Sequence, residues 1–313
     1  MDRTLLVLGS SGLTGSKITQ LARQRFDTYG TYYKRMPSDQ AVSFKLDATK
    51  EDDLKKLLRQ IKPDTIINTI ALHNVDYCEQ HPEEAFAVNT KVVETIAAVC
   101  NNLGARLIHI STDFVFDGTK NGAYSEFDEP HPQSTYGKSK LEGEKQAMLS
   151  ASYSILRPSV VYGWTKLETQ GGISSSGKSI NFAMWIIGEL SKRKTVKIVN
   201  DQFSTPTLAD ILAAVALRVA GKDINDLYHI SSSHCINRYE FAREISLAMG
   251  YRDELVAAVS TNDLHQVARR PRNSCLNCKK LEHDLGYKLP NMHQSLSIMR
   301  SQMEFEAPSM LNN

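Results

Sequence analysis

Cysteine is scarce in this chain of 313 residues, and its five copies are odd in number and scattered. That pattern excludes a secreted domain built on disulfides and favours a reducing compartment, so a cytoplasmic location is expected. Cys275-Leu276-Asn277-Cys278 has the spacing of half a metal site, but no second cysteine pair lies beside it, and no metal is expected. No apolar run reaches the roughly 18 residues that suggest a membrane span, and the first residues lack the apolar core of a secretion signal. An excess of one charge is also missing, because 37 Lys and Arg face 35 Asp and Glu for a formal net charge of +2. Without a basic block, no nucleic-acid partner is expected. What remains is a length that can bury a large core in one large domain or two unequal ones.

The chemistry begins near the start of the chain. Thr4-Leu5-Leu6-Val7-Leu8 is short, apolar and bounded by glycine, as a buried parallel strand is, and helical spacing resumes from Leu13 through Ile18 and Leu21. Gly9, Gly12 and Gly15, with Ser11 and Leu13 between them, therefore sit at a strand-to-helix turn. Such a turn brings a pyrophosphate close to free backbone N–H groups, so these five residues are read as binding a dinucleotide. Thr28–Tyr33 reads as a second strand and is followed by Lys34-Arg35, where this kind of fold meets the adenosine ribose. Two cations there attract a 2′-phosphate, which favours NADP over NAD, although a solvated basic turn has the same composition. Val42–Leu46 supplies a third strand, and Asp47 at its end either reaches the adenine region or caps the next helix. A fourth, Thr65–Ile70, leads to Ala71-Leu72-His73-Asn74. Ala71 is small enough to pass beneath a cofactor. His73 and Asn74 face the nicotinamide and substrate or lie on the rim.

A helical stretch over Pro82–Asn101 precedes the strand Arg106–Ser111, which runs into Thr112-Asp113-Phe114-Val115-Phe116-Asp117-Gly118. A buried strand ending in hydroxyl and acidic residues sets them at the carboxyl edge of the sheet, where open α/β folds bind ligands. His109, inside the strand, reads as internal packing, whereas Asp113 either orients the loop or touches substrate. A helix beginning at Ser134 carries Tyr136 and Lys140, and residues four apart share one helix face. An ammonium beside a phenol favours the phenolate and eases proton exchange near neutral pH. With Thr112, these two are the candidate catalytic residues, and Lys140 is also read as a ligand of the cofactor ribose.

On these residues the chain resembles the extended short-chain dehydrogenase/reductase superfamily, and within it the dTDP-4-dehydrorhamnose reductase-like family. Gly9, Gly12 and Gly15 match the cofactor glycines, Ser111–Gly118 is similar to the active-site strand, and Thr112, Tyr136 and Lys140 match the catalytic triad. The likeness continues through Arg157–Gly163, Asp201–Thr207 and Arg270–Ser274. His73 and Asn74 depart from it, standing where the family usually has Tyr and Thr. The resemblance implies a Rossmann-type α/β fold with an interleaved smaller C-terminal domain. It also implies NADPH-dependent reduction of a 4-keto-6-deoxy nucleotide sugar, dTDP-4-dehydro-L-rhamnose to dTDP-L-rhamnose, with a homodimer as the candidate assembly. Phe203 and Thr205 resemble positions near the substrate cleft. Relatives that are NAD-dependent epimerases or dehydratases, or non-catalytic regulatory subunits like the methionine adenosyltransferase beta subunit, define the alternatives.

The dinucleotide domain is expected over 1–163 and about 195–232, the substrate domain over about 164–194 and 233–302, and a frayed tail over 303–313. The polar, Gly- and Ser-rich stretch from Thr165 to Ser179 reads as a mobile lid, a subunit contact or a surface insertion. A strand is expected at Thr195–Val199, a helix starting at Pro206-Thr207 and a late strand at Leu227–Ser231. Arg269, Arg270 and Arg272 flank Pro271. They either face solvent or neutralise a diphosphate, and Arg272 is taken as the substrate contact.

Overall fold

The structure is a computed structural model that describes residues 3–37, 42–165, 181–222, 224–231, 234–264 and 266–311. A seven-stranded sheet organises the chain, in the order Asp226–Ile230, Tyr153–Pro158, Arg106–Ile110, Thr65–Asn68, Thr4–Leu8, Asp27–Tyr32 and Val42–Lys45. Every neighbouring pair is parallel. Parallel strands need crossovers, and helices supply them on both faces, so both faces are dry and the strands read as continuous apolar runs. Within Thr4–Leu8, for example, Leu6 and Leu8 join one core, while Leu5 and Val7 join the core on the opposite face. Strand order reverses at Thr4–Leu8, whose neighbours are the second strand in sequence on one side and the fourth on the other. A ligand crevice opens at such a reversal, outside the carboxyl ends of the strands.

A separate apolar core gathers Tyr162, Ile186, Ile198, Phe241, Leu296 and Met303 from the later parts of the chain. The helices Phe182–Leu190, Arg238–Ala248 and Met292–Glu306 contribute to it. Val196–Val199 pairs in parallel with Val256–Val259 and packs in this core. That strand was expected with the dinucleotide domain, but its partner lies about sixty residues downstream, where local pattern cannot reveal it. Pro206 does not open the next helix, which starts at Ala209, because Thr207–Leu208 first pairs with Val161–Tyr162. The chain end also differs from a frayed tail: the last helix runs to Glu306 and buries Met303 fully, and Leu311 packs beside it in the same core. Cys235 and Cys275 form a disulfide across a separation of 40 residues, where the scattered spacing had favoured a reducing compartment. Cys78, Cys100 and Cys278 remain free.

Candidate functional site

The glycine turn has the shape that a dinucleotide requires. A Cβ on Gly15 would lie 2.2 Å from the Gly9 carbonyl oxygen, so only glycine lets the first helix pack this close to the strand end. A Cβ on Gly12 would meet nothing nearer than that same oxygen at 3.4 Å, which leaves open space in front of the turn. The helix Leu13–Ala22 has no side-chain cap, since Gly12 stands at its N-cap. Its first N–H groups and the positive end of its dipole thus face the opening, as a bound diphosphate needs. Ser11 and Leu13 are half-buried in the turn. Lys34 is exposed with its ammonium 5.6 Å from the centre of the Tyr33 ring, and Arg35 beside it is half-buried. Asp47 accepts from the Thr49 amide at 3.1 Å and from the Thr49 hydroxyl at 2.6 Å, which makes it a turn former at the start of the following helix. These residues fit NADP.

The opposite wall is built from buried polar groups. Thr112 is extended and caps a short turn over Asp113–Val115, accepting from the Phe114 amide at 3.2 Å. Its hydroxyl lies 3.1 Å from Asp113 Oδ1, and Asp113 Oδ2 accepts from the Ser159 hydroxyl at 2.7 Å. Burial pushes the Asp113 carboxyl up, against the pull of the Ser274 and Ser159 hydroxyls and of the Arg238 charge. Ser159 precedes Val160, whose φ of 42° is rare for a β-branched residue and marks a strained turn held where Ser159 meets Asp113.

Tyr136 and Lys140 lie one turn apart on the helix Thr135–Ala147, which Ser134 caps by accepting from the Gly137 amide. Burial raises the Tyr136 phenol, a hydrogen bond with Thr112 draws it part of the way back, and the charge of Asp113 raises it again. Lys140 is 1% exposed. Its Nζ donates to the Ile110 carbonyl at 2.6 Å, and burial draws it down to about 8 while Glu144 pulls the other way. Glu144 is itself held by Arg157, with Nε at 2.8 Å and NH2 at 2.6 Å, and by the Ser111 hydroxyl. A lysine with so low a pKa exchanges protons in the range where enzymes work.

Asn89, which carries no motif a sequence pattern could expose, ties this wall to the loop over the cofactor turn. Its carboxamide accepts from the Leu72 amide at 2.8 Å and donates to the Leu72 carbonyl at 3.1 Å and to Ser139 at 3.0 Å. It does so from a π-helical turn over Ala87–Lys91 that interrupts the expected Pro82–Asn101 helix, as such turns often do near functional sites. Ala71 is half-buried in that loop and His73 is exposed. Asn74 is buried and uses its side-chain oxygen to cap the helix Val75–Gln80, accepting from the Tyr77 amide.

The candidate residues of the C-terminal half have duties that differ. Phe203 is 41% exposed, and its backbone pairs with Arg272 and Ser274. Thr205 is buried, with its hydroxyl accepting from the Leu276 amide. Among the three arginines, Arg270 is spent on a forked pair with Asp76, NH1 at 2.7 Å and NH2 at 2.8 Å, while Arg269 and Arg272 are exposed. Sequence reading passed over Arg238. Its guanidinium lies 5.2 Å from the centre of the Phe182 ring, within electrostatic reach of Asp113 and Arg270, and burial holds it below the usual arginine range. Its backbone amide donates to the Gln202 carbonyl at 3.1 Å. The stretch 166–180, which covers almost all of the expected lid, lies outside the described residues. No cluster of three or more His, Cys, Asp or Glu that could hold a metal occurs among the described residues. No helix there is long and apolar enough to cross a membrane.

A dinucleotide turn facing a Thr, Tyr and Lys wall defines an oxidoreductase of the extended short-chain class. Residues 3–305 match the RmlD substrate binding domain family, and the chain belongs to that family. It is 32% identical over 297 residues to the probable low-salt glycan biosynthesis reductase Agl14 of Haloferax volcanii, covering 94% of this chain and 96% of that one. With the dTDP-4-dehydrorhamnose reductase of Aggregatibacter actinomycetemcomitans it shares 30% identity over 96% of this chain and 99% of the relative. The dTDP-4-dehydrorhamnose reductase of Bacillus anthracis str. Ames, solved in complex with NADP, superposes with a TM-score of 0.84 at 26% identity, over 96% of this chain and all of that one.

Proposed function

We propose that this protein reduces the 4-keto group of a nucleotide-linked 6-deoxy sugar with NADPH, converting dTDP-4-dehydro-L-rhamnose to dTDP-L-rhamnose. The observation that carries the reading is that the uncapped glycine turn and Thr112 follow the carboxyl ends of strands in one parallel sheet, with Tyr136 and Lys140 on the helix packed beside them. The names of its relatives support the substrate. When bound, NADPH supplies the hydride that adds to the carbonyl carbon. Tyr136 gives its phenolic proton to the oxygen that becomes the alcohol, and Lys140 holds the cofactor ribose and, in its charged form, favours the phenolate left behind. Asp113 sets the direction of the Thr112 hydroxyl, accepting from it at 3.1 Å, and so fixes Thr112 beside the place of the ketone oxygen. His73 and Phe203, both exposed, are the residues we assign to the sugar. A cytoplasmic setting and a homodimer are the location and assembly we expect.

The purified protein, NADPH and a dTDP-4-keto-6-deoxyhexose should consume cofactor in step with a new C4 alcohol seen by NMR. Isomerisation or loss of water without net cofactor consumption would instead make it an epimerase or dehydratase working with NAD. Tight NADP binding without turnover on any keto-sugar nucleotide would make it a regulatory subunit.

A further inference from the structure

The central sheet places two buried polar side chains behind the candidate catalytic lysine. Asn68 ends the strand Thr65–Asn68 and is paired in register with His109 on the strand Arg106–Ile110. Both are fully buried. Partners in a parallel ladder point to the same face, here the face covered by the helix that carries Lys140. Asn68 Nδ2 lies 3.2 Å from His109 Nδ1, and His109 Nε2 lies 3.3 Å from Lys140 Nζ.

The polarity of this chain follows from its first member. The Ile70 amide meets the Asn68 side chain at 3.1 Å, and an N–H can only meet the oxygen, so the amide nitrogen of Asn68 must face His109. His109 Nδ1 then has to accept. Burial and the nearby lysine hold the histidine well below its usual range, so the ring is neutral and carries its one proton on Nε2. That N–H points at Lys140 Nζ. An ammonium there has only donors to offer, and the Ile110 carbonyl already takes one of them. An amine has a lone pair that accepts the Nε2 proton.

We propose that Asn68 and His109 are positioning residues for Lys140, forming a one-directional hydrogen-bond chain that presents a donor to its nitrogen and favours the amine over the ammonium. The other charged groups around the lysine do not set this preference. Glu144, one turn further along the same helix and paired with Arg157 and Ser111, works against it by favouring the ammonium. Tyr136, one turn back, and the Cys78 thiol beside it are kept protonated by burial. Asp113 acts on Tyr136 from the far side. The consequence for turnover rests on the reductase reading, whereas the placement of the proton does not. After Tyr136 gives up its proton, a lysine poised between its two forms returns one to the phenolate and is recharged from water.

The test reads the lysine directly. In cofactor-free protein labelled in the lysine side chains, the NMR signal lost on Lys140→Met is followed from pH 6 to 11. The wild-type midpoint should lie well below those of the exposed lysines. His109→Leu, which removes the opposing donor, should raise it by about one unit or more. Asn68→Asp should raise it as well, because a carboxylate forces the proton onto Nδ1 and turns Nε2 into an acceptor for the ammonium. His109→Gln, which keeps an acceptor for Asn68 and a donor for Lys140, should stay near wild type. In the reductase assay the high-pH limb of kcat should move upward by the same amount in His109→Leu, since charged lysine then persists to higher pH. An unchanged midpoint in folded His109→Leu and Asn68→Asp would overturn the proposal. Absent turnover with a shifted midpoint would overturn the reductase reading alone, and if His109→Leu does not fold, Asn68→Asp and His109→Gln still decide the question.

Discussion

The two walls of the crevice solve opposite problems. On the cofactor side the chain leaves polar groups bare: Gly12 is exposed, the helix behind it is uncapped, and Lys34 reaches into solvent. On the catalytic side almost every polar atom is buried and partnered, from Thr112 and Asp113 to the Glu144 and Arg157 pair. Bare backbone N–H groups bind a diphosphate strongly and indifferently to pH, which suits a ligand that only has to stay in place. Buried side chains have shifted proton affinities, which suits groups that have to exchange a proton during the reaction. Arg238 breaks the pattern, as a cation on the packed side whose side chain meets the Phe182 ring face instead of a paired carboxylate.

The largest effect should come from the packed wall. Tyr136→Phe keeps the ring against Phe114, whose centroid is 5.7 Å away, and removes only the acid. Turnover should fall about 10²–10⁴-fold, the usual worth of a positioned proton donor, while NADPH binding followed by fluorescence stays within about twofold. Retained turnover would take the acid role away from Tyr136. Arg238→Met should act next. It keeps an apolar stem over Phe182 but removes the charge, so KM for the nucleotide sugar should rise about tenfold to a hundredfold, the range for a lost charge-assisted hydrogen bond. Cofactor affinity should not change. A drop in kcat alone would mean that Arg238 serves Asp113 and not the substrate.

Legibility in the sequence divides along the same line. Strands and the cofactor turn were readable because their signals are local. Thr28–Tyr33 was expected where Asp27–Tyr32 forms, and the Ser134 helix starts one residue later with Ser134 as its cap. Tyr136 and Lys140 were readable because a four-residue spacing fixes a shared helix face. The supports of those residues were not. Asn68, Asn89, Ser159 and Arg238 owe their positions to partners between 17 and 50 residues away or in another core, and no local pattern encodes that. The π-helical turn at Ala87–Lys91 and the packed chain end escaped for the same reason. The arginine loop shows the limit from the other side. Composition offered three cations for a diphosphate, but Asp76 takes Arg270, and the cation near Asp113 comes from the helix Arg238–Ala248.

The smallest effect should come from the bare wall. Lys34 and Arg35 follow the second strand where the adenosine ribose of a dinucleotide is met, and replacing both with neutral residues should raise KM for NADPH by up to about tenfold. The change is modest because Lys34 is exposed and water screens its charge. Use of NADH should change much less, since it lacks the 2′-phosphate these side chains would meet, and kcat at saturation should stay the same because neither residue approaches the reacting carbon. Salt separates the two walls further. Raising ionic strength should weaken wild-type NADPH binding toward that of the double variant, whereas the titration of the buried Lys140 should hardly move. Equal efficiency with NADH and NADPH in the wild-type protein would remove the 2′-phosphate role from this pair and leave the glycine turn as the main source of cofactor affinity.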